Sequence, residues 1–374
     1  MIRVGITGQS GFMGTHLFNF LGTKPERIVR VNFQNNFFDN EVDLQRFVKS
    51  CDVIVHLAAM NRHEDEKVIY ETNVELVKKL INACEETNSI PKIIFSSSIQ
   101  EEKDNLYGKS KRDGRKYFED WAIKNSCRVL SLIIPNVFGP YGKPYYNSFV
   151  ATFASQIIAG EQPTIVDDIR VKLIYINELS RVFYDKILEK DHNDISSYLV
   201  PHTSSFKVSK ILELLNEFKI QYLENGQVPQ VDLNSFQLDL FNTFTSFIPK
   251  DYFPIKLTNH TDERGAFVEI IRAGSAGQTS YSTTVPGITR GNHYHTRKIE
   301  RFAVISGKAL IQIRKIDSAE SFEYFLDGGE PAYVDIPIWY THNIKNIGNT
   351  ELITLFWINE PYNPEDGDTY LMDV

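Results

Sequence analysis

Tyr107 and Lys111 stand four residues apart in the run Tyr107-Gly108-Lys109-Ser110-Lys111, so a helix carries both on one face. A tyrosine near its reference pKa of about 10 moves protons poorly at neutral pH, and a neighbouring ammonium favours its phenolate. One of Ser96, Ser97 and Ser98, at the end of an apolar run shortly before, can supply a hydroxyl to the same carbonyl oxygen. The chemistry of such a trio is proton delivery to a carbonyl that receives a hydride.

A hydride carrier needs a place to bind. Gly8-Gln9-Ser10-Gly11-Phe12-Met13-Gly14 follows the apolar run Ile2–Thr7 and opens a helical stretch. In that context the glycines let the backbone approach a pyrophosphate and turn helix N-terminal amides towards it. Gly8, Ser10, Gly11, Phe12, Met13 and Gly14 are therefore the expected cofactor contacts. A nicotinamide dinucleotide with a free ribose hydroxyl usually meets an acid at the end of the second strand. Here that strand, Ile28-Val29-Arg30-Val31-Asn32, ends without Asp or Glu. Arg30 and Ser10 could instead face a 2′-phosphate, which favours NADPH.

A second group of polar residues lies far along the chain. His293 and His295 are two apart, Glu300 follows, and His342 comes after a gap. Residues two apart share one face of a strand. Three imidazoles and one carboxylate suit Zn2+ or another first-row metal. With all four bound, zinc would be four-coordinate and structural; a catalytic role needs an open position. The spacing leaves both open.

The elements that must position these groups fall into two periodicities. Up to about residue 215, short apolar runs such as Val53–Ala59 and Ile93–Ser98 alternate with helical stretches such as Phe12–Leu21 and Val68–Glu86. That pattern predicts βαβ units and a doubly wound parallel α/β sheet. Beyond about residue 250 strands dominate. Phe267–Arg272, Thr279–Thr284, Arg301–Ile305, Ala309–Lys315, Glu320–Leu326, Ala332–Ile336 and Leu352–Ile358 are separated by Pro286-Gly287, Ser306-Gly307, Gly328-Gly329 and Gly348-Asn349. Regular spacing of this kind predicts an all-β jelly roll. The expected domains are 1–249 and 250–374, with the hinge in Ser246–Pro254.

Composition narrows the function classes. A chain of 374 residues fits two domains, and its formal net charge of −8 argues against nucleic acid as a partner. Cys51, Cys84 and Cys127 are odd in number and scattered, which predicts buried thiols in a reducing compartment. No apolar run approaches the ~20 residues that span a bilayer, and the N-terminus enters a strand at once. The expectation is a cytoplasmic protein with no membrane partner.

The order of motifs resembles that of extended short-chain dehydrogenases over roughly the first two-thirds of the chain. The phosphate turn is followed by His56-Leu57-Ala58-Ala59, Thr72-Asn73-Val74, Phe95-Ser96-Ser97-Ser98, Tyr107/Lys111 and Pro135-Asn136-Val137-Phe138-Gly139-Pro140. The resemblance implies a Rossmann sheet in which Tyr107 is the general acid, Lys111 orients the ribose and lowers the tyrosine pKa, and Ser98 holds the substrate carbonyl. It also implies that Asp43 and Leu44 touch adenine, that Ala58 and Ala59 line the cofactor, and that Asn136 contacts substrate. Relatives that eliminate water carry Asp-Glu directly after the catalytic Ser or Thr. Ile99 and Gln100 stand there, which disfavours dehydration and leaves Glu101 and Glu102 to a solvated loop. Ile133 replaces an Arg found in many relatives.

The spacing around His293, His295, Glu300 and His342 is similar to the two motifs of cupin barrels, with Trp339 where cupins commonly have Gly. A reductase followed by a cupin resembles the CapF-type capsular polysaccharide enzymes. Ser96–Gln100, Pro144-Tyr145-Tyr146-Asn147-Ser148, Asp262-Glu263-Arg264-Gly265, Pro286–Thr289 and Tyr340–Ile344 carry that likeness, and Asn147 joins the implied substrate contacts. The implied function is bifunctional: the cupin epimerises carbon 3 of a UDP-4-keto-6-deoxy-N-acetylhexosamine, and the reductase reduces carbon 4 with NADPH. The product would be UDP-2-acetamido-2,6-dideoxy-L-talose, on the way to UDP-N-acetyl-L-fucosamine. A UDP-sugar is thus the expected small-molecule partner and a homodimer the expected assembly. Lys298, Tyr281, Tyr294 and Arg314 are candidates for the group that takes the proton. The alternative is a redox-neutral nucleotide-sugar epimerase whose cupin only binds sugar or dimerises.

Overall fold

The computed structural model describes residues 1–189, 195–232, 235–262, 265–268, 270–273, 277–360 and 363–374. Glu263 and Arg264 of the expected Asp262–Gly265 motif, and Glu269 of the expected strand Phe267–Arg272, lie outside the described residues. Two compact units are present: Met1–Thr152 with Ile165–Val208, and Phe153–Thr164 with Ser209–Val374.

The first unit carries strands β1 (Ile2–Thr7), β2 (Ile28–Val31), β3 (Val53–His56), β4 (Lys92–Ser98), β5 (Val129–Ile134), β6 (Asn136–Phe138), β7 (Arg170–Tyr175), β8 (Ile195–Leu199) and β9 (Ser204–Lys207). Six of them form one sheet in the order β2-β1-β3-β4-β5-β8, all parallel. All four residues of β3 are buried, as a central strand with both faces covered requires. The order reverses between β1 and β3, which places a ligand crevice at their carboxyl ends. Helices α1 (Phe12–Gly22), α2 (Glu41–Lys49), α3 (Glu66–Glu86) and α4 (Leu106–Asn125) complete the frame. Asn40 caps α2 through the amides of Val42 and Asp43, and Asn105 caps α4 through Gly108, satisfying helix-end donors that have no internal partner. Phe33, Phe38, Phe47, Phe95, Phe118 and Trp121 fill the core between helices and sheet. The three cysteines are buried and none is in a disulfide, and burial pushes the thiols of Cys51 and Cys84 up to about 12.

The second unit is mostly antiparallel. Strands β10 (Gln227–Val228), β11 (Ile255–Lys256), β12 (Asn259–Asp262), β13 (Gly265–Val268) and β14 (Arg272–Ala273) are short. They are followed by β15 (Gln278–Thr284), β16 (Thr289–Tyr294), β17 (Glu300–Ser306), β18 (Lys308–Lys315), β19 (Ser321–Asp327), β20 (Ala332–Ile336), β21 (Tyr340–Asn346), β22 (Leu352–Ile358) and β23 (Tyr370–Leu371). Two five-stranded antiparallel sheets result, β11-β20-β17-β22-β15 and β19-β18-β21-β16-β23. Helices Val208–Phe218 and Phe236–Thr245 precede them, and Ile248 and Phe253 of the expected hinge are buried. Arg301 and Asp335 form a buried ion pair at 2.8 Å, with the guanidinium 3.8 Å above the Tyr333 ring. No helix among the described residues is long and apolar enough to cross a membrane.

Candidate active site and metal centre

The phosphate turn is built from close backbone approaches. Gly8 closes β1 at φ +70°, and a Cβ there would stand 2.8 Å from the backbone of Ala58. A Cβ on Gly14 would overlap the carbonyl oxygen of Gly8, so α1 can enter the turn only with glycine there. Gly11 is the N-cap of α1, without a side-chain cap and without an acid in the first turn. The helix therefore presents unpaired amides and a positive dipole end, which suits a pyrophosphate. Ala58 donates its amide to Thr7 Oγ1 at 3.3 Å, and Thr7 bonds buried His56 Nδ1 at 2.8 Å. Ala58 and Ala59 are half-buried beside this turn.

Other expected cofactor contacts are placed differently. Arg30 does not meet Ser10: its guanidinium stacks on Phe18 at 4.3 Å and donates to the Phe18 carbonyl at 3.1 Å. The helix beside β2 offers that flat ring and a carbonyl, and the guanidinium takes both. Ser10 Oγ accepts from Asn35 Nδ2 at 3.2 Å, and Gln9 bridges Asn32 and the Phe33 amide, each at 2.9 Å. Asp43 pairs with Arg46 at 2.9 Å and Leu44 is buried in the core.

At the start of α4, Tyr107 and Lys111 lie on one face, the ammonium 5.8 Å from the phenol ring centre. Lys111 is buried, donates to the Ser96 carbonyl at 3.0 Å, and is held down at about 8, chiefly by burial. Burial, with Tyr146 nearby, pushes Tyr107 up to about 12. A phenol that keeps its proton at neutral pH is a proton donor, which reduction of a ketone needs. Ser96 and Ser97 turn inward, Ser96 onto the His56 carbonyl at 3.0 Å and Ser97 onto Glu101. Ser98 ends the strand, and its hydroxyl accepts from the Gln100 amide at 3.1 Å.

Glu101 corrects the expectation of a solvated loop. The turn that Ser98 caps folds it back under α4, where it is buried and paired with Arg115 at 2.9 Å. Glu102 is exposed. Asn136 Nδ2 donates to the Lys172 carbonyl at 3.1 Å, and Asn147 is exposed. Tyr146, which no chemical argument from sequence singled out, is tied to this region through its hydroxyl and the Asn61 amide at 3.2 Å. Its neighbour Tyr145 accepts from Arg62 through its carbonyl at 2.6 Å.

In the second unit, His293 and His342 face each other in register on β16 and β21, with ring centres 4.6 Å apart. His295 lies just beyond β16, and Glu300 begins β17 in the opposite sheet. One potential ligand atom from each of the four lies within 4.8 Å of all the others. His342 Nε2 stands 2.7 Å and His295 Nε2 3.4 Å from Glu300 Oε2, yet none of the three atoms has a hydrogen-bond partner of proper geometry. Nδ1 of His295 contacts the Asp368 carbonyl and that of His342 the Tyr340 carbonyl. A carbonyl only accepts, so both Nδ1 atoms carry the proton and both Nε2 lone pairs point at the carboxylate. Buried lone pairs crowded together are unfavourable without a cation among them, and a divalent metal is the cation this donor set fits. Burial and the neighbouring imidazoles hold His293 down at about 4.

Trp339 takes the left-handed conformation at φ +63°, the backbone that glycine would adopt easily. Its amide donates to the His295 carbonyl at 2.8 Å and its side chain is 3 % exposed. The turn that delivers His342 is therefore retained by burial of the indole. Of the four candidate bases, Tyr281 is 71 % exposed. Lys298 donates to the Gly367 carbonyl at 2.6 Å, Tyr294 stacks on Tyr370 at 5.3 Å, and Arg314 donates to the Asp373 carbonyl at 2.7 Å. Sequence reasoning missed the chain end, whose only local signal is the turn-forming Asp366-Gly367-Asp368.

Comparison with known proteins agrees with this division. Residues 4–197 match the NAD dependent epimerase/dehydratase family and residues 260–370 the polysaccharide biosynthesis C-terminal domain. The chain is 32% identical to UDP-2-acetamido-2,6-beta-L-arabino-hexul-4-ose reductase of Pseudomonas aeruginosa, over 100% of this chain and 99% of that one. Capsular polysaccharide assembling protein CapF of Staphylococcus aureus superposes with a TM-score of 0.61 at 33% identity, covering 100% of both chains. RMD of Pseudomonas aeruginosa, solved with NADPH, shares the fold of the first part: TM-score 0.56, 17% identity, 66% of this chain and 99% of that one.

Proposed function

Because the chain belongs to the NAD-dependent epimerase/dehydratase family, and over its whole length to the CapF-type enzymes, we propose that it is a bifunctional nucleotide-sugar enzyme of polysaccharide biosynthesis. In this reading the C-terminal barrel is a cupin that epimerises carbon 3 of a UDP-4-keto-6-deoxy-N-acetylhexosamine. The N-terminal domain then reduces the carbon 4 ketone, giving UDP-2-acetamido-2,6-dideoxy-L-talose. The observation that carries it is the presence, in one chain, of the Tyr107/Lys111 pair on α4 and the His293/His295/Glu300/His342 cluster.

NADPH, when bound, supplies the hydride. Gly8, Gly11 and Gly14 admit its pyrophosphate to the end of α1, Ala58 and Ala59 flank it, and Lys111 orients its ribose. NADPH is favoured over NADH because Asn32, and no acid, follows β2, near the Asn35–Ser10 hydrogen bond; an acid there would repel a 2′-phosphate. Tyr107 gives its proton to the carbonyl oxygen, which Ser98 holds, and Asn136 and Asn147 contact the sugar nucleotide.

Epimerisation needs a proton removed from a carbon next to a ketone and returned to the other face. His293, His295, Glu300 and His342 would hold Zn2+, which when bound supplies positive charge for electrophilic or structural work. Their lone pairs support that assignment.

The test uses the full-length Tyr107→Phe protein in heavy water with the 4-keto UDP-sugar and NADPH. Proton NMR should show deuterium entering carbon 3 while carbon 4 stays a ketone. No exchange in that variant or in the wild type leaves the barrel a non-catalytic module, and turnover without stoichiometric NADPH oxidation makes the enzyme a redox-neutral epimerase.

A further inference from the structure

The end of the chain runs back across the metal centre. Leu371 and Tyr370 of β23 pair with His293 and Tyr294 of β16, so the last strand lies directly against a ligand-bearing strand. Before it, Asp368 is 4 % exposed and adopts φ +41°, a conformation unusual for a residue with a Cβ. Its carboxylate accepts from the Thr296 hydroxyl at 2.6 Å, the Thr296 amide at 3.2 Å and the Arg297 amide at 2.9 Å. Those are the two residues that follow His295.

We propose that Asp368 is a positioning residue for the metal centre: its buried carboxylate locks the 295–297 turn, and its backbone carbonyl fixes His295 with Nε2 towards the ion. The inference rests on the metal reading above. The His295 ring is turned by a bond to the Asp368 carbonyl, and that carbonyl is placed by the side chain of the same residue. One residue thus holds both the turn that follows the ligand and the tautomer of the ligand. His342 takes its orienting carbonyl from Tyr340 within its own strand, so it needs no such device. His295 lies beyond the end of β16, outside its strand pairing; the Trp339 amide holds its carbonyl, and the turn that follows it, together with the ring, is left to Asp368. Outer partners of this kind typically govern 10- to 100-fold in metal affinity.

The test measures Zn2+ affinity of the full-length protein by competition with a chromophoric chelator, alongside circular dichroism and thermal unfolding of the metal-free form. Asp368→Ala should bind Zn2+ about 10- to 100-fold more weakly than wild type, and Asp368→Asn, which keeps one acceptor oxygen, should fall between. Asp366→Ala is the control: its carboxylate bonds only the exposed side of Arg297, at 2.9 Å, and its affinity should stay at the wild-type value. Folded Asp368→Ala with unchanged affinity overturns the proposal and leaves the metal site standing. Affinity that falls only in step with the loss of folded protein overturns it too. Wild-type protein that binds no Zn2+, like His293→Ala, removes the metal reading and this proposal together.

Discussion

The two sites bury polar groups in opposite ways. In the first unit the cradle is backbone: glycine approaches and helix amides make it, and buried Lys111 is satisfied by the Ser96 carbonyl. In the second unit the site is side-chain lone pairs, with His295 Nε2, His342 Nε2 and Glu300 Oε2 crowded together and unsatisfied. Helix-end amides without a ligand are readily satisfied by water, so the ligand of the backbone cradle adds function more than stability. A cluster of lone pairs is complete only with a cation, so its ligand adds stability as well.

That contrast is broken most directly at the proposed metal site. His342→Ala, or chelation of the wild type, should lower unfolding of the second unit by roughly 10 °C, since a ligand at ~1,000 times its Kd contributes about 4 kcal/mol. Calorimetry should show the transition of the first unit unmoved; a common shift of both transitions would refute the contrast.

Tyr107→Phe should cut reduction ~100- to 10,000-fold and leave cofactor affinity nearly intact. A large loss of NADPH binding in a fluorescence titration would mean the phenol is part of the cradle. Trp339→Gly sets two effects against each other. Glycine relieves the left-handed backbone, worth roughly 1–2 kcal/mol, but deletes a buried indole worth about 3–5 kcal/mol. Net destabilisation of roughly 2–3 kcal/mol is expected, read by denaturant unfolding, and a stabilised variant would show that the indole packs poorly.

The smallest effects sharpen the first site. With Lys111 held at about 8 and Tyr107 at about 12, the lysine is the first of the two to lose its proton as pH rises. Its charge is present below about pH 8 and absent above, so reduction should decline on the alkaline side near pH 8, and a flat profile to pH 10 would remove Lys111 from that role. Folding holds this lysine below its ordinary value of 10.5, so burying the charge opposes folding at low pH. Its contribution to stability therefore rises between about 8 and the ordinary lysine range. Activity and this term should move in opposite directions, and Lys111→Met should flatten the second. Last, Asn32→Asp should shift preference towards NADH by ~10-fold; an unchanged ratio of kcat/KM values would place the selectivity elsewhere.

Much of this was legible in the residues. Apolar runs such as Val53–His56 marked central strands because both faces of a parallel sheet are covered. Six apolar or alternating runs marked strands of the two five-stranded sheets, whereas the expected Phe267–Arg272 overlaps two short strands, Gly265–Val268 and Arg272–Ala273, that lie outside those sheets. The hydrophobic pattern did not mark Thr289–Tyr294 or Tyr340–Asn346, because histidine and asparagine occupy positions that face its interior or its ligands; ligand spacing pointed there instead. The sequence shows the charge of Arg30 but not the Phe18 ring against which it lies.

The sequence by itself determined the order of elements, the glycine turn and the identity of the donor atoms, since these depend on local sterics and on side-chain chemistry. Tertiary structure alone decided that Glu101 is buried against Arg115, that burial and Tyr146 push Tyr107 up, and that the Asp368 carbonyl, 73 residues along the chain, meets the His295 ring. Those outcomes turn on desolvation and on contacts between distant segments, which exist only once the chain has closed around them.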